Sequence, residues 1–440
     1  MHASLMHTGD VLLYNRPDDG VGSEARVLDP VSGEITDVSL NLQLDIHCSV
    51  TTILADGRVL VAGGTPYGDP ASHNGTTTVL IFDPDTLSWT EAGPLAEGRW
   101  YPTAVELGDG TTLVASGEET IDQLQPSIES FDPDTGTSTL LPATANSVTD
   151  PYAHLFLLPS GEVFRAIPNP DSRRFTPATN TWSTWNAPMN FGWRSGGAAV
   201  LLPGLRKVLA VGGSDNPFAD RAEGDPATAT VEIIDLGVPA PSWTYTGSMS
   251  YARIHPNLVL LPDGKALVVG GAKVNFNLSP VRIPELYTPC TGTWKPMAAQ
   301  AADRGYHSTA LLLPDGRVLS AGSNLSNLPT TVEYYSPPYL FHVARPTITS
   351  APATVTYGGS LTIETPDASS IAKVVLIRPG ATTHATNFDQ RMVRLSFTRG
   401  AGTVTATVPL SANRLPPGYY MLFILNTSGV PAVAPFVQVG

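Results

Sequence analysis

The stretch Arg304-Gly305-Tyr306-His307-Ser308-Thr309-Ala310-Leu311-Leu312-Leu313-Pro314-Asp315-Gly316-Arg317-Val318-Leu319 decides the fold. An apolar run, Ala310 to Leu313, enters a Pro-Asp-Gly turn and Arg317-Val318-Leu319 leaves it, which predicts a β-hairpin. Asp-Gly between apolar runs is a strong hairpin signal, because Gly takes the positive φ that the tight turn needs. The unit repeats. It returns around Asp56-Gly57, from Ile53 to Gly64, and around Gly9, from Leu5 to Leu13. Further copies turn at Asp109-Gly110, Ser160-Gly161, Gly204 and Asp263-Gly264, which makes seven. Successive turns from Asp56 lie 53, 51, 44, 59 and 52 residues apart. A period of about 50 residues, with room for two more strands between copies, predicts kelch-type propeller blades of four strands each.

The later half of each unit agrees. Trp89, Trp182 and Trp294 follow Asp-Pro or Thr-Pro corners at similar distances, and Trp243 falls at a comparable point. These indoles are expected to pack between blades. The expected architecture is all-β: a seven-bladed kelch-type β-propeller over residues 1–340, its N-terminal strands completing the last blade. From about Arg345 the pattern changes to short alternating strands, such as Lys373-Val374-Val375-Leu376-Ile377 and Tyr420-Met421-Leu422-Phe423-Ile424. Residues 345–440 are therefore expected to form an Ig-like β-sandwich.

The bulk numbers fit a globular chain of more than one domain: 440 residues, 42% hydrophobic and only 15% charged. Lys+Arg of 25 against Asp+Glu of 39 gives −14, which argues against nucleic acid and anionic membranes as partners. No apolar run is long enough to span a bilayer. Cys48 and Cys290 are the only cysteines, so no disulfide framework is expected. The start, Met1-His2-Ala3-Ser4-Leu5, lacks a signal peptide. The expectation is a secreted protein whose signal peptide is absent from this chain, with a cytoplasmic location left open. A monomer is expected, with the oligomeric state left open.

Registering the repeats on their turns and stepping back eight positions gives Cys48, Tyr101, Tyr152, Gly196, His255 and His307, with Tyr306 adjacent. Equivalent positions on the innermost strands of a propeller form a ring about one axis. A ring that only packs would be Val, Ala, Gly or Ser. Tyr, His and Cys together supply the groups that hold Cu, Fe or Zn.

On these residues the chain resembles the copper radical oxidases, the galactose oxidase and glyoxal oxidase group, and lies nearer the glyoxal-oxidase-like branch. The resemblance covers nearly the whole length. It rests on Cys48, on Gly98-Arg99-Trp100-Tyr101-Pro102-Thr103, on Tyr306-His307-Ser308, on Ser336-Pro337-Pro338-Tyr339-Leu340-Phe341 and on Thr383-His384-Ala385-Thr386-Asn387-Phe388-Asp389-Gln390-Arg391. Pro417 to Phe423 and Ser428 to Ala432 resemble the family's C-terminal sandwich.

The resemblance implies one copper ion held by Tyr101, Tyr306, His307 and His384, with Tyr101 joined through a ring carbon to the sulfur of Cys48. It places Tyr306 axially, makes Trp100 the shield of the radical, and brings His384 from the second domain into the central channel. The implied activity is oxidation of a primary alcohol or aldehyde by O2, giving hydrogen peroxide. Two imidazoles and two phenol oxygens with an open position suit Cu(II). Copper accepts one electron, and a thioether-substituted tyrosine is the second one-electron acceptor.

Cys290 matches no ring position and reads as structural. The substrate is expected beside the unassigned rim residues Tyr152, Gly196 and His255. No arginine stands between Thr149 and Pro159, where the galactose branch has its sugar-binding one, so small primary alcohols and hydrated aldehydes are expected rather than galactose. The galactose branch's extra N-terminal carbohydrate-binding domain is not expected here. The competing reading is a non-catalytic kelch-propeller interaction module with a vestigial ring.

Overall fold

The computed structural model describes residues 1–16, 23–40, 45–67, 74–217, 224–275, 278–323, 331–342 and 344–440. The protein is almost entirely β-structure, and its only helices among the described residues are short 3-10 turns. No helix among them is long and apolar enough to cross a membrane.

Seven antiparallel sheets form a β-propeller. Each begins with a short, mostly buried hairpin, buried along its whole length at Val50–Ile53 with Val59–Ala62 and at Thr309–Leu312 with Val318–Ala321. A strand buried on both faces reads as an unbroken apolar run, which is why the hairpins stood out in sequence. The outer strands are more exposed: Ser88–Glu91 and Thr293–Pro296 each carry only one half-buried residue, the tryptophan. Those indoles reach the preceding blade. Trp89 donates to Val38 O (2.9 Å), Trp182 to Ala145 O (2.7 Å), Trp294 to Gly247 O (2.8 Å) and Trp243 to Ser172 Oγ (2.9 Å).

One expectation about closure is corrected. The N-terminal strands do not complete the last blade. Among the described residues the last sheet has three strands, Thr309–Leu312, Val318–Ala321 and Glu333–Tyr335. The N-terminal strands, from His2–Leu5 to Ile35–Asp37, make a four-stranded blade of their own. The free inner edge of His2–Leu5 explains the difference. It is taken by Ala381–Thr383 from the C-terminal region, which pairs with it antiparallel (Ala3 with Thr382, Ser4 with Ala381).

The C-terminal region is an Ig-like domain built on a sheet that includes Ile371–Arg378, Arg391–Gly400 and Gly418–Asn426. Its residues 381–391 leave the domain and enter the centre of the propeller, and the side chains there fix the loop from several sides. Asp389 accepts from Thr52 Oγ1 (2.9 Å) and from the Ile53 amide (3.0 Å). Gln390 pairs with the backbone of Leu258 and Leu260. Arg391 donates to Leu157 O, and Arg378 forms an ion pair with Glu106. Three blades thus grip one loop through buried hydrogen bonds.

Candidate metal centre

The six residues eight positions before the turns share one backbone state. Cys48, Tyr101, Tyr152, Gly196, His255 and His307 have φ of 65, 60, 49, 62, 56 and 63°. The left-handed region is rare for residues other than Gly, and it collects at functional sites where surrounding structure over-determines it. Here the turn lets each residue sit just ahead of its inner strand, and the five that carry side chains aim them at the axis. Neighbouring turns are stitched by backbone hydrogen bonds: Tyr101 N to Cys48 O (3.0 Å), Tyr152 N to Tyr101 O (3.0 Å) and His255 N to Gly196 O (2.6 Å).

A second repeat holds the turns, and the sequence reading missed it. Arg99, Arg194 and Arg253 stand two residues before their ring positions and are fully buried. Each pairs with a buried glutamate, Glu129 (3.0 Å), Glu232 (2.9 Å) or Glu285 (3.1 Å). Arg304 makes the same kind of pair with Glu333 at 3.4 Å. Arg304, however, stands three residues before His307. The extra residue between them lets this one turn present two consecutive side chains, Tyr306 and His307, to the centre.

There they meet the other candidates. The phenol oxygens of Tyr101 and Tyr306 are 2.5 Å apart. The His307 ring stacks on Tyr306 (centroids 4.0 Å) and stands edge-on to His384 (4.3 Å). His384 lies 4.6 Å from the Tyr101 ring and stacks on Tyr152 at 4.5 Å. Trp100 covers the other side of Tyr101, with centroids 3.5 Å apart and planes 11° from parallel. Cys48 is buried in the same cluster as Trp100, Tyr101 and Tyr152. His255 packs on Tyr306 at 4.6 Å, and its Nε2 meets Asn275 Oδ1 at 2.9 Å. All of the expected site residues are therefore brought together. Cys290 is exposed in a turn outside the site.

His384 is set by its neighbour. Thr383 Oγ1 lies 2.6 Å from His384 Nδ1, so the ring offers Nε2, a buried nitrogen with no hydrogen-bond partner. Two further histidines lie close. His47 stands edge-on to His307 at 5.1 Å, and His2 is 6.0 Å from His384. Their place in the sequence carried no signal.

Burial governs the protonation of this centre. It pushes the Tyr101 phenol well above its usual range, with the nearby Cys48 adding to the effect, and it pushes the Cys48 thiol up to about 12. Burial likewise holds His384 well below the usual imidazole range, and His255 down to about 4. A dry pocket of neutral phenols and imidazoles favours a cation that can recruit them as ligands, because bound metal inverts this penalty. No three His, Cys, Asp or Glu side chains among the described residues could hold a metal alone. The phenol oxygens are needed, and two imidazoles with two phenols form a donor set that copper suits. The unpartnered Nε2 of His384 fits that group.

Comparison with known proteins agrees. The glyoxal oxidase N-terminus family matches residues 22–339, and the galactose oxidase-like early set domain matches residues 345–439. A galactose oxidase of Gibberella zeae is 30% identical over 93% of this chain and 63% of its own length. The aldehyde oxidase GLOX of Vitis pseudoreticulata is 30% identical over 91% of this chain and 83% of its own. Among solved structures, a fungal alcohol oxidase of the AA5 family in complex with copper superposes with a TM-score of 0.87 at 28% identity, covering 100% of this chain and 96% of that one. The chain spans slightly under two thirds of the galactose oxidases it matches. On the family matches over both of its regions, the chain belongs to the glyoxal oxidase and galactose oxidase family.

Proposed function

We propose that the protein is a copper radical oxidase that converts a primary alcohol, or the hydrate of an aldehyde, to the aldehyde or acid while reducing O2 to hydrogen peroxide. The observation that carries this reading is the convergence of Tyr101, Tyr306, His307 and His384 within one buried centre, with Trp100 stacked on Tyr101. In this reading those four residues hold copper, and Cys48 is joined to the Tyr101 ring. Copper, when bound, supplies Lewis acidity and one of the two electron-accepting equivalents.

The remaining steps belong to the chain. Held on copper as the phenolate, Tyr306 Oη would receive the proton of the substrate hydroxyl. The oxidised Tyr101 ring takes a hydrogen atom from the adjacent carbon, and sulfur on that ring makes its oxidation easier. Trp100 keeps water from the Tyr101 ring face. The substrate enters the pocket lined by Tyr101, Tyr152, Gly196, His255, Tyr306 and His384. The proposed division of the chain is a propeller over residues 1–340 and a sandwich over 345–440 that supplies His384. Export from the cell is part of the proposal.

The test is copper loading followed by a peroxide-coupled screen of primary alcohols and aldehydes, with copper stoichiometry and the radical absorption band as controls. One copper per chain, a radical band and peroxide formation support the reading. A copper-free, inert protein after loading would leave the kelch interaction module in its place.

A further inference from the structure

Asn275 is fully buried, and its carbonyl oxygen faces His255 Nε2 at 2.9 Å. An amide oxygen accepts and does not donate, so the His255 proton sits on Nε2 and Nδ1 keeps a lone pair. The Nδ1–Cε1 edge of His255 faces Gly196. A Cβ built on Gly196 would stand 2.8 Å from Nδ1 and 2.7 Å from Cε1. Gly196 packs against that edge without a side chain, and both residues line the pocket together with Tyr101 and Tyr306. The same imidazole packs on the Tyr306 ring, whose oxygen is 2.5 Å from that of Tyr101. A fixed hydrogen-bond acceptor therefore belongs to the same pocket that Tyr101 and Tyr306 line.

We infer that His255 Nδ1, held in this tautomer by Asn275, accepts a hydrogen bond from a second hydroxyl of the substrate, so that the enzyme selects 1,2-diols over simple primary alcohols. The inference rests on the oxidase reading above. His255 touches the substrate. Asn275 acts through His255 and is a positioning residue. No bond is made or broken in this contact. A substrate with a methyl group in place of the second hydroxyl leaves a buried acceptor unpaired, and polar sites reject such analogues far more strongly than apolar pockets reject a missing methylene.

The experiment uses the full copper-loaded chain with 1,2-ethanediol and 1-propanol, which differ by a hydroxyl in place of a methyl. Wild-type kcat/KM should favour the diol by at least about tenfold. Asn275→Leu should bring the ratio close to one, mainly through a higher KM for the diol, with copper content unchanged. His255→Phe should give the same collapse if Asn275→Leu does not fold. In the metal-free protein, 15N shifts should show His255 protonated at Nε2 and not at Nδ1. A wild-type ratio near one, a ratio that survives both substitutions, or a proton on Nδ1 would overturn the inference. Peroxide from no substrate at all would instead overturn the oxidase reading, and this inference with it.

Discussion

The phenol oxygens of Tyr101 and Tyr306, 205 residues apart in the chain, lie 2.5 Å from each other. They are brought there by two turns of the same left-handed form and by the extra residue between Arg304 and His307. Their roles should separate on mutation. Tyr306→Phe removes the proposed proton acceptor but leaves Cys48 beside Tyr101. The substitution should lower kcat by about 10²–10⁴-fold, the usual range for loss of a general base. Peptide mapping should still find the Cys48–Tyr101 link. A variant with near-normal kcat would remove Tyr306 from the mechanism.

The link itself is the second prediction. Cys48 and Tyr101 occupy matching positions in consecutive blades, and Tyr101 N donates to Cys48 O. Both side chains are buried in one cluster. Aerobic copper treatment followed by proteolysis should yield a branched peptide lighter by a pair of hydrogens. Cys48→Ser should lack both the branched peptide and the radical band. Recovery of the two wild-type peptides separately would rule the link out.

Thr383 offers a test of the loop that is independent of the propeller's own ligands. Its hydroxyl lies 2.6 Å from His384 Nδ1 and fixes which nitrogen faces the centre. Outer partners of metal ligands typically contribute about 10–100-fold in affinity. Thr383→Val should weaken copper binding by that factor in competition with a chelator. Unchanged affinity would mean that His384 does not need Thr383, or that it is not a ligand.

Much of this was legible because propeller blades are local repeats. The hairpins announced themselves through Gly turns between mostly buried apolar strands. The shared offset from each turn then placed Cys48, Tyr101, Tyr152, Gly196, His255 and His307 on one rim. What escaped was set by contacts distant in sequence. His384 entered only through the family resemblance, because its loop is gripped by Thr52, Leu258 and Leu157 and no local pattern announces such partners. The closure of the ring was misjudged for the same reason, since the edge of His2–Leu5 is covered by residues some 380 positions away. The buried arginines were readable in principle. Each precedes a ring residue by two or three positions, with its glutamate about 30–40 residues on, but Arg and Glu look like surface residues until their burial is known.

Those arginines supply a stability prediction. Glu129 is fully buried and takes Arg99 Nη2 at 3.0 Å and the Ala96 amide at 2.6 Å. Glu129→Ala strands a buried guanidinium directly below the Trp100–Tyr101 turn. Breaking such a pair from one side costs about 3–5 kcal/mol. The denaturant midpoint should drop accordingly, and Arg99→Met with Glu129→Leu together should recover most of the loss. A single mutant with an unchanged midpoint would show that water or relaxation satisfies Arg99.

His154 sets the behaviour in acid. It is buried at 3% exposure, with Nε2 3.2 Å from Thr386 Oγ1, two residues beyond His384. Burial lowers its pKa from the ordinary 6.5 to about 4, so the folded protein holds the ring neutral where an unfolded chain would protonate it. Between these values the unfolded state binds more protons, and stability rises with pH. The contribution is therefore complete above pH 6.5, is lost as the pH falls towards 4, and is constant below. A difference of about 2.5 pK units corresponds to about 3 kcal/mol. His154→Gln keeps a polar partner for Thr386 and cannot take up the proton. It should flatten the fall in melting temperature of the metal-free protein between pH 6.5 and 4. An equally steep fall in the variant would place the acid sensitivity in other buried groups, of which His255 is the first to test.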